Sequence, residues 1–187
     1  MPRLSREKMI EGAIKLLAMR GLHAASFSEI IEATGAPRGS IYHHFPGGKD
    51  QLIAEAIDLA GSQAVELLNA LEDQAAETVA EQFIAMWRSL LTASAYQAGC
   101  SILAVTTASG SDALLSRAAA VFREWSSRLS ELLYRGGLDE DNARRMAALL
   151  VASCEGAVAI SRAQKSLDSF ELVAEQLLID IKNARSN

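Results

Sequence analysis

The stretch Gly35-Ala36-Pro37-Arg38-Gly39-Ser40-Ile41-Tyr42-His43-His44-Phe45-Pro46-Gly47-Gly48-Lys49 decides the fold. Proline is tolerated in a first helical turn, where an N–H has no intrahelical partner to lose, so a helix can start near Pro37. Pro46-Gly47-Gly48 breaks the chain a few residues later, which keeps that helix short. Just upstream, Ser26-Phe27-Ser28-Glu29 sets an acid three residues after a hydroxyl, the pattern of a capping box. The helix it opens carries Phe27, Ile30 and Ile31 on one face and ends at Gly35 after barely two turns. Two short helices joined by a glycine-containing turn are the layout of a helix-turn-helix.

Reading outward, a first helix is expected with Ser5 as its cap, Ile10, Ala13, Ile14 and Leu17 on one face, and Gly21 as its stop. Lys49-Asp50-Gln51-Leu52 starts a longer helix reaching about residue 70. Further helices are expected near 77–95, 103–109, 112–135, 140–165 and 169–184, with Gly136-Gly137 separating two of them. Asp139 or Asp141 can cap one, and Asp168-Ser169-Phe170-Glu171 repeats the cap-and-acid pattern before the last. Half of the 187 residues are hydrophobic but only 5% are aromatic, and there are three prolines, a balance that favours helices over strands. The expected fold is all-α: an N-terminal three-helix helix-turn-helix head, residues 1–50, and a larger helical body, residues 51–187.

Charge is distributed unevenly. Residues 1–53 hold seven Lys or Arg against five Asp or Glu, together with all three His, whereas the remainder holds eleven against eighteen. A small basic head on an acidic body suits local contact with an anion and argues against a protein that coats nucleic acid throughout. The longest uncharged run, Ser89 to Ser111, is interrupted by Gln97, Gly99 and several Ser and Thr, so it reads as a buried helix and connector. Charges at Arg3, Arg6, Glu7 and Lys8 do not suit an export signal; no membrane partner and a cytoplasmic location are expected. Cys100 and Cys154 have neither a disulfide framework nor the spacing of a zinc site and read as small buried hydrophobes. The sequence contains no phosphate-binding glycine loop, metal-ligand cluster or nucleophile motif, so no enzymatic activity, cofactor or metal site is expected.

In a short third helix, Ile41 and Phe45 lie four residues apart and can pack on Ile30 and Leu17. Arg38, Ser40, Tyr42, His43 and His44 are then left mostly outward. A cation, a hydroxyl and rings with polar edges are the groups a DNA surface needs. Lys49 at a helix N-terminus adds a point charge beside exposed N–H groups, a favourable phosphate site. Two alternatives stand: Tyr42 can close the head's small core, and the His43-His44 pair can be exposed without a role.

Gly35, Ala36, Gly39-Ser40, Tyr42, Phe45 and the following Lys49 and Leu52 together resemble the N-terminal signature of TetR-family regulators. There are two departures. Pro46-Gly47-Gly48 places one residue more before Lys49 than the commonest form of the motif, which changes how that lysine is aimed. Ile31 stands where the family usually has Ala. The resemblance implies base or groove contacts for Arg38, Ser40 and Tyr42, and contacts to the phosphate backbone for Ser26, Ser28, His44 and Lys49. His43 joins them on the DNA-facing side.

The resemblance further implies a homodimer through the last two helices, a double-stranded palindromic operator, and a small hydrophobic or planar effector held inside the body. The final helix carries Phe170, Val173, Leu177, Leu178 and Ile181 on one stripe, and the preceding one is rich in small residues around Ala147, Ala148, Ala152 and Gly156. Phe83, Met86, Trp87, Phe122, Trp125, Cys154 and Glu155 are the candidates to line the effector cavity, or else plain core. Gly99-Cys100, Phe122-Arg123-Glu124-Trp125 and Glu155-Gly156-Ala157 are similar to the branch of lincomycin-resistance and flavonoid-responsive repressors. The expected function is a repressor released from its operator by the effector; activation from the same head, and a helical interaction module without DNA binding, are the alternatives.

Overall fold

In the computed structural model, residues 2–186 are described, and side chains from 6 to 185. The described residues form helices and no strands. The helices are α1 (Pro2–Arg20), α2 (Phe27–Thr34), α3 (Arg38–His44), α4 (Gly48–Asn69), α5 (Ala76–Ala93), α6 (Ser101–Ala108), α7 (Asp112–Arg135), α8 (Glu140–Gln164) and α9 (Asp168–Ser186), with a 3-10 turn at Leu22–Ala24. The all-α fold is the expected one. Helix α1 starts at Pro2, three residues ahead of the expected cap Ser5, whose side chain lies outside the described residues; proline suits the first position of a helix. The 3-10 turn has no counterpart in the expectations.

The punctuation between elements follows from single residues. Gly21 at φ +80° and Gly35 at φ +66° adopt the left-handed backbone that lets α1 and α2 stop. The capping box of α2 is formed in both directions: Glu29 N–H donates to Ser26 Oγ at 3.3 Å, and Ser26 N–H to Glu29 Oε2 at 3.5 Å. Pro37 is the N-cap residue of α3, so the helix itself begins at Arg38. Of the two aspartates able to cap α8, Asp139 does so, its carboxylate accepting from Asn142 N–H at 2.9 Å.

The chain packs as two compact units. The first contains residues up to 62 together with 100–121, so α6 and the start of α7 belong with the helix-turn-helix. Its core includes Leu17, Ile30, Ile41 and Phe45, all essentially inaccessible, as the four-residue spacing of Ile41 and Phe45 requires. Helix α6 packs on α1 and on the 3-10 turn. Gly12 lets α1 approach α2: a Cβ there would stand 2.4 Å from Thr34 Cγ2. Arg6 pairs with Glu55 and lies over the Phe45 ring, 5.3 Å from its centroid.

The second unit contains residues 63–99 and those from 122 onward. In it α8 and α9 make the most extensive helix pair, and α5 packs on both. Arg88 on α5 holds Glu171 on α9 through two hydrogen bonds of 2.6 and 2.8 Å and lies over the Phe170 ring. Phe170, Leu177 and Ile181 are buried within the chain itself, so this part of the final stripe is intrachain core and not a surface for a second subunit. What remains exposed and apolar is Leu149 and Ile160 on α8 and Leu172 and Ile179 on α9. Among the described helices, α8 is the one long and apolar enough by composition to cross a membrane. Its apolar content divides between a buried stripe (Ala143, Ala147, Leu150, Cys154, Val158) and that exposed strip, the pattern of a core helix with a second apolar side.

Candidate nucleic-acid interface

The reader helix α3 is held from inside by Ile41 and Phe45 and presents its other side to solvent. Arg38 and His43 are exposed; Ser40 and His44 are half-buried. Tyr42 is 66% exposed, so its ring does not close the core. It stands edge-on to Phe27, with ring centroids 5.4 Å apart and planes at 80°. Phe27 is itself only half-buried and serves as the platform that orients Tyr42, a role its place on the apolar face of α2 did not reveal. The His43 and His44 rings lie 5.5 Å apart at 62° and do not converge on a point.

Around the reader stand the expected backbone-contact residues. The Ser26 hydroxyl is engaged in the cap, and its oxygen lies 3.0 Å from that of exposed Ser28. Lys49, the second residue of α4, is half-buried, and its ammonium donates to the Leu22 carbonyl at 2.8 Å. One of three N–H donors is thereby committed within the protein.

In the second unit, four of the seven candidate effector residues form a continuous edge-on ladder. Phe83 meets Trp87 at 6.3 Å, Trp87 meets Trp125 at 6.4 Å, and Trp125 meets Phe122 at 5.6 Å between centroids. Met86 is half-buried next to Trp87 in sequence. Cys154 and Glu155 are buried on α8, the helix that packs on α5. Burial, and secondarily the Glu155 charge, push the Cys154 thiol up to about 12, which makes it an inert hydrophobe at neutral pH. Cys100 is half-buried and caps α6, its sulfur accepting from Leu103 N–H at 3.4 Å.

A short helix with a buried apolar side and a bare polar side, seated behind a capped partner helix, is built to enter a groove of DNA; the chain is a helix-turn-helix DNA-binding transcriptional regulator. Comparison with known sequences narrows this, for residues 9–56 match the bacterial regulatory proteins of the tetR family. Residues 75–176 match the C-terminal domain of LmrA/YxaF-like transcriptional regulators. The chain belongs to the TetR family. An HTH-type transcriptional regulator of Mycobacterium tuberculosis is 35% identical over 179 residues, covering 92% of this chain and 91% of its own. The HTH-type transcriptional regulator YxaF of Bacillus subtilis is 30% identical, covering 95% of each. Among solved structures, a TetR regulatory protein from Rhodobacter sphaeroides superimposes with a TM-score of 0.85 at 19% identity, over 95% of this chain and 98% of that one, and shares its fold.

Proposed function

We propose that the protein is a ligand-responsive repressor that binds a palindromic operator as a homodimer in the cytoplasm. The observation that carries this reading is the two-sided α3, with Ile41 and Phe45 fully buried and Arg38, Tyr42 and His43 exposed. Arg38, Ser40, Tyr42 and His43 face the groove, and Ser26, Ser28 and His44 flank it at the level of the phosphates. A bidentate Arg contact to guanine is the strongest single source of base discrimination such a face offers.

Dimerisation uses the apolar strip left exposed on α8 and α9. Ala148, Leu149, Ala152, Gly156 and Ile160 recur at helical spacing on α8, and a Cβ on Gly156 would meet open space. Small side chains let two such helices approach closely. Two heads related by a two-fold axis then read half-sites about 34 Å apart or a multiple of it. The effector is a small planar apolar molecule that inserts among Phe83, Met86, Trp87, Phe122 and Trp125, near Cys154 and Glu155. Binding the released state more tightly than the operator-bound one couples the sites by about 1–3 kcal/mol.

Retention of duplexes from a random pool at two salt concentrations, followed by sequencing, tests this. A palindrome whose affinity falls steeply with salt is the expected result. Weak binding indifferent to sequence and salt would overturn it in favour of a helical interaction module. Planar aromatic compounds added to the retained complex are then expected to lower affinity roughly 5- to 150-fold.

A further inference from the structure

We propose that Lys49 is a positioning residue for DNA reading: its ammonium clamps the turn that delivers the chain into α2 to the first turn of α4. The inference rests on the DNA-binding reading of the head. The Leu22 carbonyl accepts twice, from Lys49 Nζ at 2.8 Å and from Ala25 N–H at 3.3 Å. Leu22 and Ala25 are both buried, and the next residue is Ser26, whose hydroxyl caps α2. The clamp therefore acts on the three residues that set where α2 begins.

The other end of the clamp is equally fixed. Gly48, at φ +79°, donates its N–H to the Phe45 carbonyl at 3.0 Å, and Gly47 N–H donates to Gln51 Oε1 at 2.9 Å. This turn carries the chain from the end of α3 into α4. One side chain thus ties the entrance of the helix-turn-helix to its exit, spanning 27 residues of sequence. Helix α6 packs on the same 3-10 turn, so the entrance is held by α6 and by Lys49 together. A compact ammonium on a half-buried carbonyl makes a charge-assisted bond stronger than a neutral one. The bond to Leu22 directs the nitrogen along the protein and commits one of its three donors to the fold, so removing it disturbs the turn whether or not another donor meets a phosphate.

The test uses Lys49→Met, which keeps the methylenes and removes charge and donors, with two measurements. In the free protein, amide hydrogen exchange at Ala25 and Glu29 is expected to accelerate about ten-fold, the loss of one hydrogen bond, while amides in α5, α8 and α9 hold their rates. Operator affinity is expected to fall about ten-fold at every salt concentration, with the slope of log K against log salt unchanged. A slope shallower by about one unit with exchange unaltered means a phosphate contact and overturns the proposal. Unaltered affinity and exchange overturn it as well, as does faster exchange throughout the protein with normal affinity, which is a general loss of stability.

Should Lys49→Met not fold, Lys49→Arg decides. It keeps the charge a phosphate needs but sets a planar fork where the carbonyl takes a single ammonium. Faster exchange at Ala25 and Glu29 supports the clamp, and unchanged exchange overturns it. If the unaltered protein retains no duplex, the DNA reading fails, while the exchange measurement still decides the clamp.

Discussion

Arg38 begins α3 at the exposed edge of the reader, where a guanidinium has the reach and fork geometry to take two acceptors of one guanine. Replacing it with alanine is expected to lower operator affinity by about 1–3 kcal/mol and to relax preference at one base pair, read by competition against single-base variants of the operator. Phe27 acts one step back. Phe27→Leu keeps most of the apolar contact but removes the aromatic edge against Tyr42, at a cost of about 0.5–1.5 kcal/mol in binding where Tyr42 enters the groove, with little change in melting temperature. Peptide mapping after treatment with an alkylating reagent is expected to find Cys154 unmodified in the native protein and modified only after unfolding, because the thiol is buried and pushed up to about 12.

At this scale, what was readable followed local spacing. Ile41 and Phe45 lie four apart, on the reader helix and at its C-cap, and their burial needed no knowledge of the rest of the chain. The Phe27–Tyr42 contact and the Lys49–Leu22 bond were not readable, because both depend on the angle of a turn that periodicity does not encode. The longer turn before Lys49 marks a departure in the motif, but the lysine's target lies in a 3-10 turn without a sequence signature.

Among the elements, helix ends marked by a side chain or a glycine were legible and unmarked ones were not. Ser26, Gly35 and Asp139 announce their boundaries. The start of α1 has no such mark, and α6 opens on a cysteine sulfur at Cys100 that no capping preference singles out. Ser26→Ala removes the acceptor for Glu29 N–H and is expected to cost about 1 kcal/mol. For a chain of this length that lowers the melting temperature by about 2–4 °C, checked by calorimetry. Gly136→Ala is a harsher case. Its Cβ would stand 2.5 Å from Ala76 N and 2.8 Å from Gln74 O, both backbone atoms that side-chain rotation does not move. The same approach lets Ala76 N–H reach the Gly136 carbonyl at 3.0 Å. The expected loss is about 3 kcal/mol, larger than any cap substitution.

For the molecule as a whole, two carboxylates held by arginines link pH to stability in the second unit. The Glu171 carboxyl is held below the usual carboxylate range by its bonds to Arg88, and Glu77 by its bond to Arg185. Both bind protons less readily when folded, so their contribution is present at neutral pH and is lost as pH falls through the ordinary carboxylate range and below it. Melting temperature is expected to drop with acidification, and Glu171→Gln to flatten that dependence; a curve unchanged by the substitution would exclude the pair as a cause. Assembly is tested separately. Ile160→Asp places a charge in the exposed strip of α8 and is expected to give monomers by sedimentation velocity, with operator affinity lost alongside. The apolar stripe of the last helix was visible in the sequence, but its direction was not: Phe170, Leu177 and Ile181 turn inward, and only three-dimensional packing leaves Leu172 and Ile179 outside.

The first unit is discontinuous in sequence, since α6 packs on α1 and on the 3-10 turn. During synthesis the ribosome releases the helix-turn-helix long before it releases α6, and domains otherwise tend to consolidate from the N-terminus as they emerge. Here the reader waits for some forty residues that belong to the other unit to be made before its last supporting helix arrives. A nascent chain therefore acquires its finished DNA-reading surface only once residues 63–99 of the second unit have also been translated.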